Sequence, residues 1–223
     1  MLYRAAELTV SPLLRAWFQP VVTGVENVPR TGAAIIAANH ISASDEVFTP
    51  MSARRQVLYF AKAEYFTGTS LRGRLTAWTF TEFGLVPVDR DNTKAAASTI
   101  DIGMRLLGEG RLLGIYPEGT RSPDGRLHKF RTGVARLALR SGCPVIPVGL
   151  IGTDKVLPPG SSRWHRAPVE VHFGAPLDFS GRVEQERSAR VLREVTETVR
   201  EAVQLLSGQQ YVDSYGSAVK AGS

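Results

Sequence analysis

The sequence predicts an α/β domain: a mixed, largely parallel sheet flanked by helices, with an amphipathic helical segment at its N-terminus. Three observations predict it. Short apolar runs of strand length recur at 33–38, 57–61, 85–88, 112–116, 145–150 and 169–173. Between several of them, apolar residues return at helical spacing, as Ala97, Ile100, Met104 and Leu107 do. Strands and helices therefore alternate, which is the pattern of a sheet with helices on its faces. No internal repeat is visible, and 223 residues, 43% hydrophobic and 22% charged, suit one large domain with or without an appendage.

Taken in order, residues 1–24 form the N-terminal segment. Val10, Leu13, Leu14, Trp17 and Phe18 lie at helical spacing with Arg4 and Arg15 among them. Ser11-Pro12 reads as an N-cap followed by proline at the first helical position, which would divide 2–18 into two short helices. Such a segment either lies in a membrane interface or docks on its own domain. The main domain is expected over 25–206. Its first strand, 33–38, is bounded upstream by Pro29, Thr31 and Gly32. Segment 65–83 holds Phe66, Leu71, Leu75, Trp78, Phe80 and Phe83 and reads as a helix closing one side of the sheet. A helix over 93–107 is capped near Asn92 and stopped by Gly108 and Gly110, and another over 132–140 ends at Gly142. A long helix over 183–206 places Val191, Val195, Val199, Ala202 and Leu206 on one stripe. Residues 207–223 are polar and rich in Gly and Ser, and are expected to form a flexible tail.

Lys and Arg outnumber Asp and Glu by 27 to 21, so anionic partners are favoured: phosphates, nucleic acid or an acidic lipid surface. The cations are spread evenly and form no basic face interleaved with aromatics, which argues against a nucleic-acid binder. Cys143 is the only cysteine, so no internal disulfide and no cysteine-based zinc site can form. It reads as a small packed residue in a protein of a reducing, cytoplasmic setting. No apolar run reaches about 18 residues, so no transmembrane helix is expected, and the N-terminus lacks the pattern of a signal peptide.

The chemistry gathers where strands end. Directly after the first strand stand Asn39, His40 and, five residues beyond the histidine, Asp45. Five is not a same-face helical spacing, so the segment must turn for the two to meet, with Ser42 or Ser44 a candidate cap for the next helix. A carboxylate on one imidazole nitrogen fixes the tautomer and leaves the other to take a proton. Read alone, the pair fits a structural hydrogen bond as well as a general base. With no protein nucleophile nearby, a base here would act on a hydroxyl of the substrate. Gly-x-Ser-x-Gly and His-Glu-x-x-His are both absent. His128, His165 and His172 show no metal spacing, so they are assigned to structure or surface and no metal site is expected. Arg90 follows the strand at 85–88, Arg121 follows that at 112–116, and Arg131 precedes a helix at Thr132-Gly133. Guanidinium groups and a helix N-terminus at the carboxyl edge of a sheet suit a phosphate.

Four blocks carry a resemblance: Asn39-His40-x4-Asp45, Gly84 to Arg90, Pro117-Glu118-Gly119-Thr120-Arg121-Ser122, and Val145-Ile146-Pro147-Val148. In this order, over residues 25–175, the chain resembles the 1-acyl-sn-glycerol-3-phosphate acyltransferases of glycerolipid synthesis. Pro87 and Arg131 depart from that pattern, where an aromatic or aliphatic residue and a lysine are common. The resemblance implies transfer of a fatty acyl group from acyl-CoA or acyl carrier protein, as co-substrate, to the sn-2 hydroxyl of lysophosphatidic acid, with no resident cofactor. It implies His40 as base, Asp45 as its partner, Arg90, Glu118, Gly119, Thr120, Arg121 and Arg131 on the glycerol phosphate, and Pro147 on the acyl-donor side. It also implies peripheral attachment to an anionic membrane surface at the cytoplasmic face, which tips residues 2–18 towards lipid. Another acceptor, such as glycerol 3-phosphate, a different lysophospholipid or a lyso-aminolipid, would need the same chemistry.

Overall fold

The computed structural model describes residues 2–89 and 95–221. In chain order its elements are α1 (Leu2–Phe18), β1 (Val21–Thr23), β2 (Ala34–Ala38), α2 (Asp45–Ala53), β3 (Val57–Lys62), α3 (Leu71–Glu82), β4 (Leu85–Val88), α4 (Ala95–Gly108) and β5 (Leu112–Ile115). There follow β6 (Leu127–His128), α5 (Gly133–Ser141), β7 (Val145–Ile151), α6 (Thr153–Val156), β8 (Glu170–Phe173), α7 (Ala189–Ser207), β9 (Tyr211–Val212) and α8 (Gly216–Ala221). The main sheet has the order β1-β8-β7-β2-β5-β3-β4. Neighbours from β7 to β4 are parallel, β8 is antiparallel to β7, and β1 is parallel to β8. This is the mixed, largely parallel sheet expected.

All five residues of β2 are buried because helices cover both faces of the sheet. Ile35 and Ala37 join a cluster with Val134 and Leu137 of α5 and Val195 and Val199 of α7. Ala34, Ile36 and Ala38 point the other way, to Phe48 and Met51 of α2 and Phe18 of α1. The connection β2–α2–β3 and the connection β5–α5–β7 cross the sheet in opposite directions. Right-handed crossovers then put α2 and α5 on opposite faces. The carboxyl ends of β2, β5 and β3 lie side by side, and the loops that leave them meet above one edge.

Four elements differ from expectation. α1 runs unbroken through Pro12. Proline removes the bond to the carbonyl four residues back, but Leu8 is 78% exposed, so that turn faces solvent. Phe18 is held on the sheet and Arg15 donates to the Met51 carbonyl, so tertiary contacts override the break. α3 does not bury its apolar residues: Leu71, Leu75 and Trp78 are 85%, 60% and 51% exposed beside the β4 edge. α7 begins at the Ser188 cap rather than at 183, and its buried stripe is Leu192, Val195, Val199 and Val203, turned from the one expected. The loose tail is corrected too. β9 pairs with β6, the Gln209 side chain accepts from Asn39 and donates to the Gly125 carbonyl, and Lys129 N donates to the Ser214 carbonyl. Polar side chains hold it, so no apolar periodicity announced it. Arg90, the Asn92 cap and Thr93 lie outside the described residues.

Candidate active site

The turn after β2 is built around the Asp45 carboxylate. Asp45 begins α2, is fully buried, and its Oδ2 accepts from Ile41 N and Ser42 N at 2.9 Å each and from His40 Nδ1 at 2.8 Å. Its Oδ1 accepts from Thr153 Oγ1 at 2.5 Å. Four donors and a helix N-terminus hold the charge. Ser44 stands at the cap position, yet it makes no side-chain cap bond and instead donates to the Thr153 carbonyl. Asp45 ties the turn before α2, while the Ser44 carbonyl takes the helix's Val47 N and Phe48 N. With Nδ1 committed to Asp45, the proton-accepting nitrogen of His40 is Nε2. Asn39, one residue earlier, clasps the Leu150 backbone with both ends of its amide and so ties the turn to β7.

His40 and Arg121 line one cavity of about 480 Å³ at the carboxyl edge of the sheet. Lys62, which ends β3, lines it as well. The strand run at 57–61 stops one residue short of this lysine, although a cation at the end of a parallel strand is the same signal that singled out Arg121. Glu46, next to Asp45 on α2, adds a carboxylate to the two cations on the wall. A second cavity, about 440 Å³, shares Ala43, Glu46, Phe80 and Leu85 with the first. It runs between α1, α2 and α3 past Val10, Leu14, Met51, Phe83 and Trp164 and is largely apolar. A charged mouth thus continues into an apolar cleft, a shape that takes an amphiphile.

The Pro117–Ser122 block divides between site and scaffold. Glu118 is 1% exposed, and its two oxygens accept from His40 N and His128 N at 2.9 Å each. It holds the backbone of His40 and does not line the cavity, unlike the phosphate contact expected of it. Burial pushes its carboxyl up to about 7, although the two backbone N–H bonds pull the other way. Gly119 adopts φ +75°, and a Cβ there would lie 2.8 Å from Arg131 Nε, so it serves the turn. Thr120 packs its methyl towards Gly216. Ser122 N donates to the His40 carbonyl at 2.7 Å, which brings Arg121 to the cavity. Arg131 is turned to the C-terminal segment instead: it donates to Ser217 Oγ and lies over the Tyr215 ring at 5.1 Å. Pro147 is buried inside β7, between the end of β8 and the Val145–Leu177 bridge, where the ladder is interrupted. It packs strands and does not line either cavity. His128 and His172 are tied to Asp124 and Glu170, and His165 is exposed, in keeping with structural or surface roles.

A family model described as Acyltransferase matches residues 19–151, the span that carries this turn, both cationic strand ends and β7. The chain belongs to the acyltransferase family. Among relatives in that family, a chloroplastic 1-acyl-sn-glycerol-3-phosphate acyltransferase of Brassica napus is 30% identical over 70% of this chain and 44% of its own length. An enzyme of the same description from Borreliella burgdorferi is 31% identical over 60% of this chain and 52% of its own. The chain spans about half the length of these curated relatives. The crystal structure of the 1-acyl-sn-glycerophosphate acyltransferase PlsC from Thermotoga maritima shares the fold, with a TM-score of 0.64 at 24% identity, over 91% of this chain and 82% of that one.

Proposed function

We propose that the protein moves a fatty acyl group from acyl-CoA or acyl carrier protein to the sn-2 hydroxyl of 1-acylglycerol 3-phosphate, forming phosphatidic acid for phospholipid synthesis. The observation that carries this reading is the Asp45-held imidazole of His40 sharing a cavity with Lys62 and Arg121. Lys62 and Arg121 pair with the acceptor phosphate and bring the glycerol hydroxyl to His40. Nε2 removes the hydroxyl proton as the oxygen attacks the thioester carbonyl carbon. The tetrahedral intermediate collapses, the carbon–sulfur bond breaks, and the thiolate takes the proton back from the imidazolium. A thioester is already activated, so no acyl-enzyme is required. The apolar cleft between α1, α2 and α3 receives acyl chain.

The protein works at a bilayer surface, peripherally and at the cytoplasmic face. Leu8, Leu13 and Trp17 of α1 and Leu71, Leu75 and Trp78 of α3 are all more than half exposed on the helices that flank the cleft. No helix among the described residues is long and apolar enough to cross a membrane. A lipid surface covers such faces and admits the acceptor sideways.

The test is a panel of acyl-CoA and acyl carrier protein donors against 1-acylglycerol 3-phosphate, glycerol 3-phosphate and a phosphate-free lysolipid, with products identified by mass spectrometry. Transfer to 1-acylglycerol 3-phosphate is expected, with His40→Ala inactive and Arg121→Ala raising the acceptor KM. Near-normal transfer by His40→Ala, or preference for the phosphate-free lipid, would refute the reading.

A further inference from the structure

Asp45 holds one edge of the His40 ring, and a single edge contact leaves the ring free to roll about it. What stops the roll is a face. The Tyr116 ring lies against the imidazole with centroids 3.9 Å apart and planes 11° apart. Behind Tyr116 lies Tyr59, at 5.2 Å and again 11°. Three rings therefore stand parallel, with His40 the one that lines the cavity.

The stack is built into the sheet. Tyr59 in β3 is the register partner of Gly114 in β5, and a Cβ on Gly114 would come within 2.2 Å of the Tyr59 ring. Glycine there lets Tyr59 lie across β5, beside the residue that projects two positions later on the same face, which is Tyr116. The hydroxyls of Thr49, Tyr59 and Tyr116 are buried near one another, none in a well-formed hydrogen bond among the described residues. Burial also holds the Tyr116 phenol well above its ordinary range, so it stays neutral. What Tyr116 offers the imidazole is its ring face.

We infer that Tyr116 is a positioning residue for the general base: its ring is the plate that sets the plane of His40 and supports the imidazolium once the proton has moved. The inference rests on the reading of His40 as the base. A cation over a tyrosine face is attracted by the ring's electron density, whereas a neutral imidazole gains far less. The contact therefore strengthens as the hydroxyl loses its proton, which favours the transition state over the ground state. The charged groups around the ring, Asp45 and Glu46 from α2, Lys62 from β3, and Glu118 and Arg121 from the loop after β5, act on its edges, its backbone or the cavity. None of them supplies a plate.

The test compares Tyr116→Phe, Tyr116→Leu and Tyr59→Leu in the whole chain, assayed with palmitoyl-CoA and 1-acylglycerol 3-phosphate. Tyr116→Phe keeps the plate and should retain kcat within about twofold. Tyr116→Leu should lose about tenfold or more in kcat at unchanged acceptor KM. It should also move the acidic limb of the kcat/KM profile to lower pH by about half a unit. Tyr59→Leu removes a buried ring that does not face His40, and should lower the melting temperature without moving that limb. Equal losses in Tyr116→Phe and Tyr116→Leu would assign the effect to the hydroxyl and overturn the inference. So would an unmoved limb in Tyr116→Leu. An NMR titration of the His40 ring proton in wild type and Tyr116→Leu reads the stack without turnover. If the wild type does not acylate 1-acylglycerol 3-phosphate, the functional reading fails on its own, and an unmoved His40 midpoint in that titration would still overturn the stacking role.

Discussion

Replacing Glu118 by Gln should change how stability depends on pH more than it changes stability itself. Burial raises the Glu118 carboxyl from an ordinary 4.5 to about 7 in the folded protein. Between those values the unfolded chain has lost this proton while the folded chain keeps it, so stability falls as pH rises. The slope is about 1.4 kcal/mol per pH unit, which accumulates to about 3 kcal/mol by pH 8 and is absent below 4.5. Glutamine cannot ionise and removes that slope. It also offers one acceptor where His40 N and His128 N each need one, which costs about 1–3 kcal/mol at every pH. The wild type should therefore be the more stable at pH 5, and its advantage should shrink by about 3 kcal/mol on the way to pH 8. Urea denaturation of both proteins at intervals across that range measures the difference. Parallel stability curves would show that the carboxyl does not titrate there and would refute the argument.

Two further expectations concern the base and the bilayer. In Asp45→Asn the amide oxygen is kept towards Ile41 N and Ser42 N, and the NH₂ group meets a Thr153 hydroxyl able to accept. Fold and tautomer should survive while the charge beside the imidazolium, at most about 4 kcal/mol, is lost. The melting temperature should stay close to wild type and kcat fall by about 10²–10³-fold; a loss below tenfold would remove Asp45 from the mechanism. On the outer face of α1, Leu13→Ser with Trp17→Ser should weaken co-sedimentation with phosphatidylglycerol-containing vesicles by about a hundredfold or more, since each side chain contributes roughly 1.5–3 kcal/mol on burial. The two are 70% and 59% exposed, so folding should be little affected. Unchanged sedimentation would take α1 off the membrane.

Much of the architecture and half of the site were legible in the order of residues. Apolar runs of strand length alternating with helical periodicity specify parallel strands and their crossovers, because backbone hydrogen bonding and burial impose those periods locally. His40, Asp45 and Arg121 could be read because strand ends in such sheets deliver side chains to one edge. The rest depended on partners far along the chain. Glu118 looks like an anion-site neighbour until His40, 78 residues away, presents its N–H to it. Arg131 is turned from the cavity to Tyr215 and Ser217, and the polar segment after Ser207 is held by Asn39 and Gly125. Spacing sets where a side chain starts, but the direction it finally takes is decided by the groups that burial brings against it. The Tyr116 ring against His40, and the room that Gly114 leaves for Tyr59 behind it, come from the packing of β3 on β5 and have no signal in the spacing of residues.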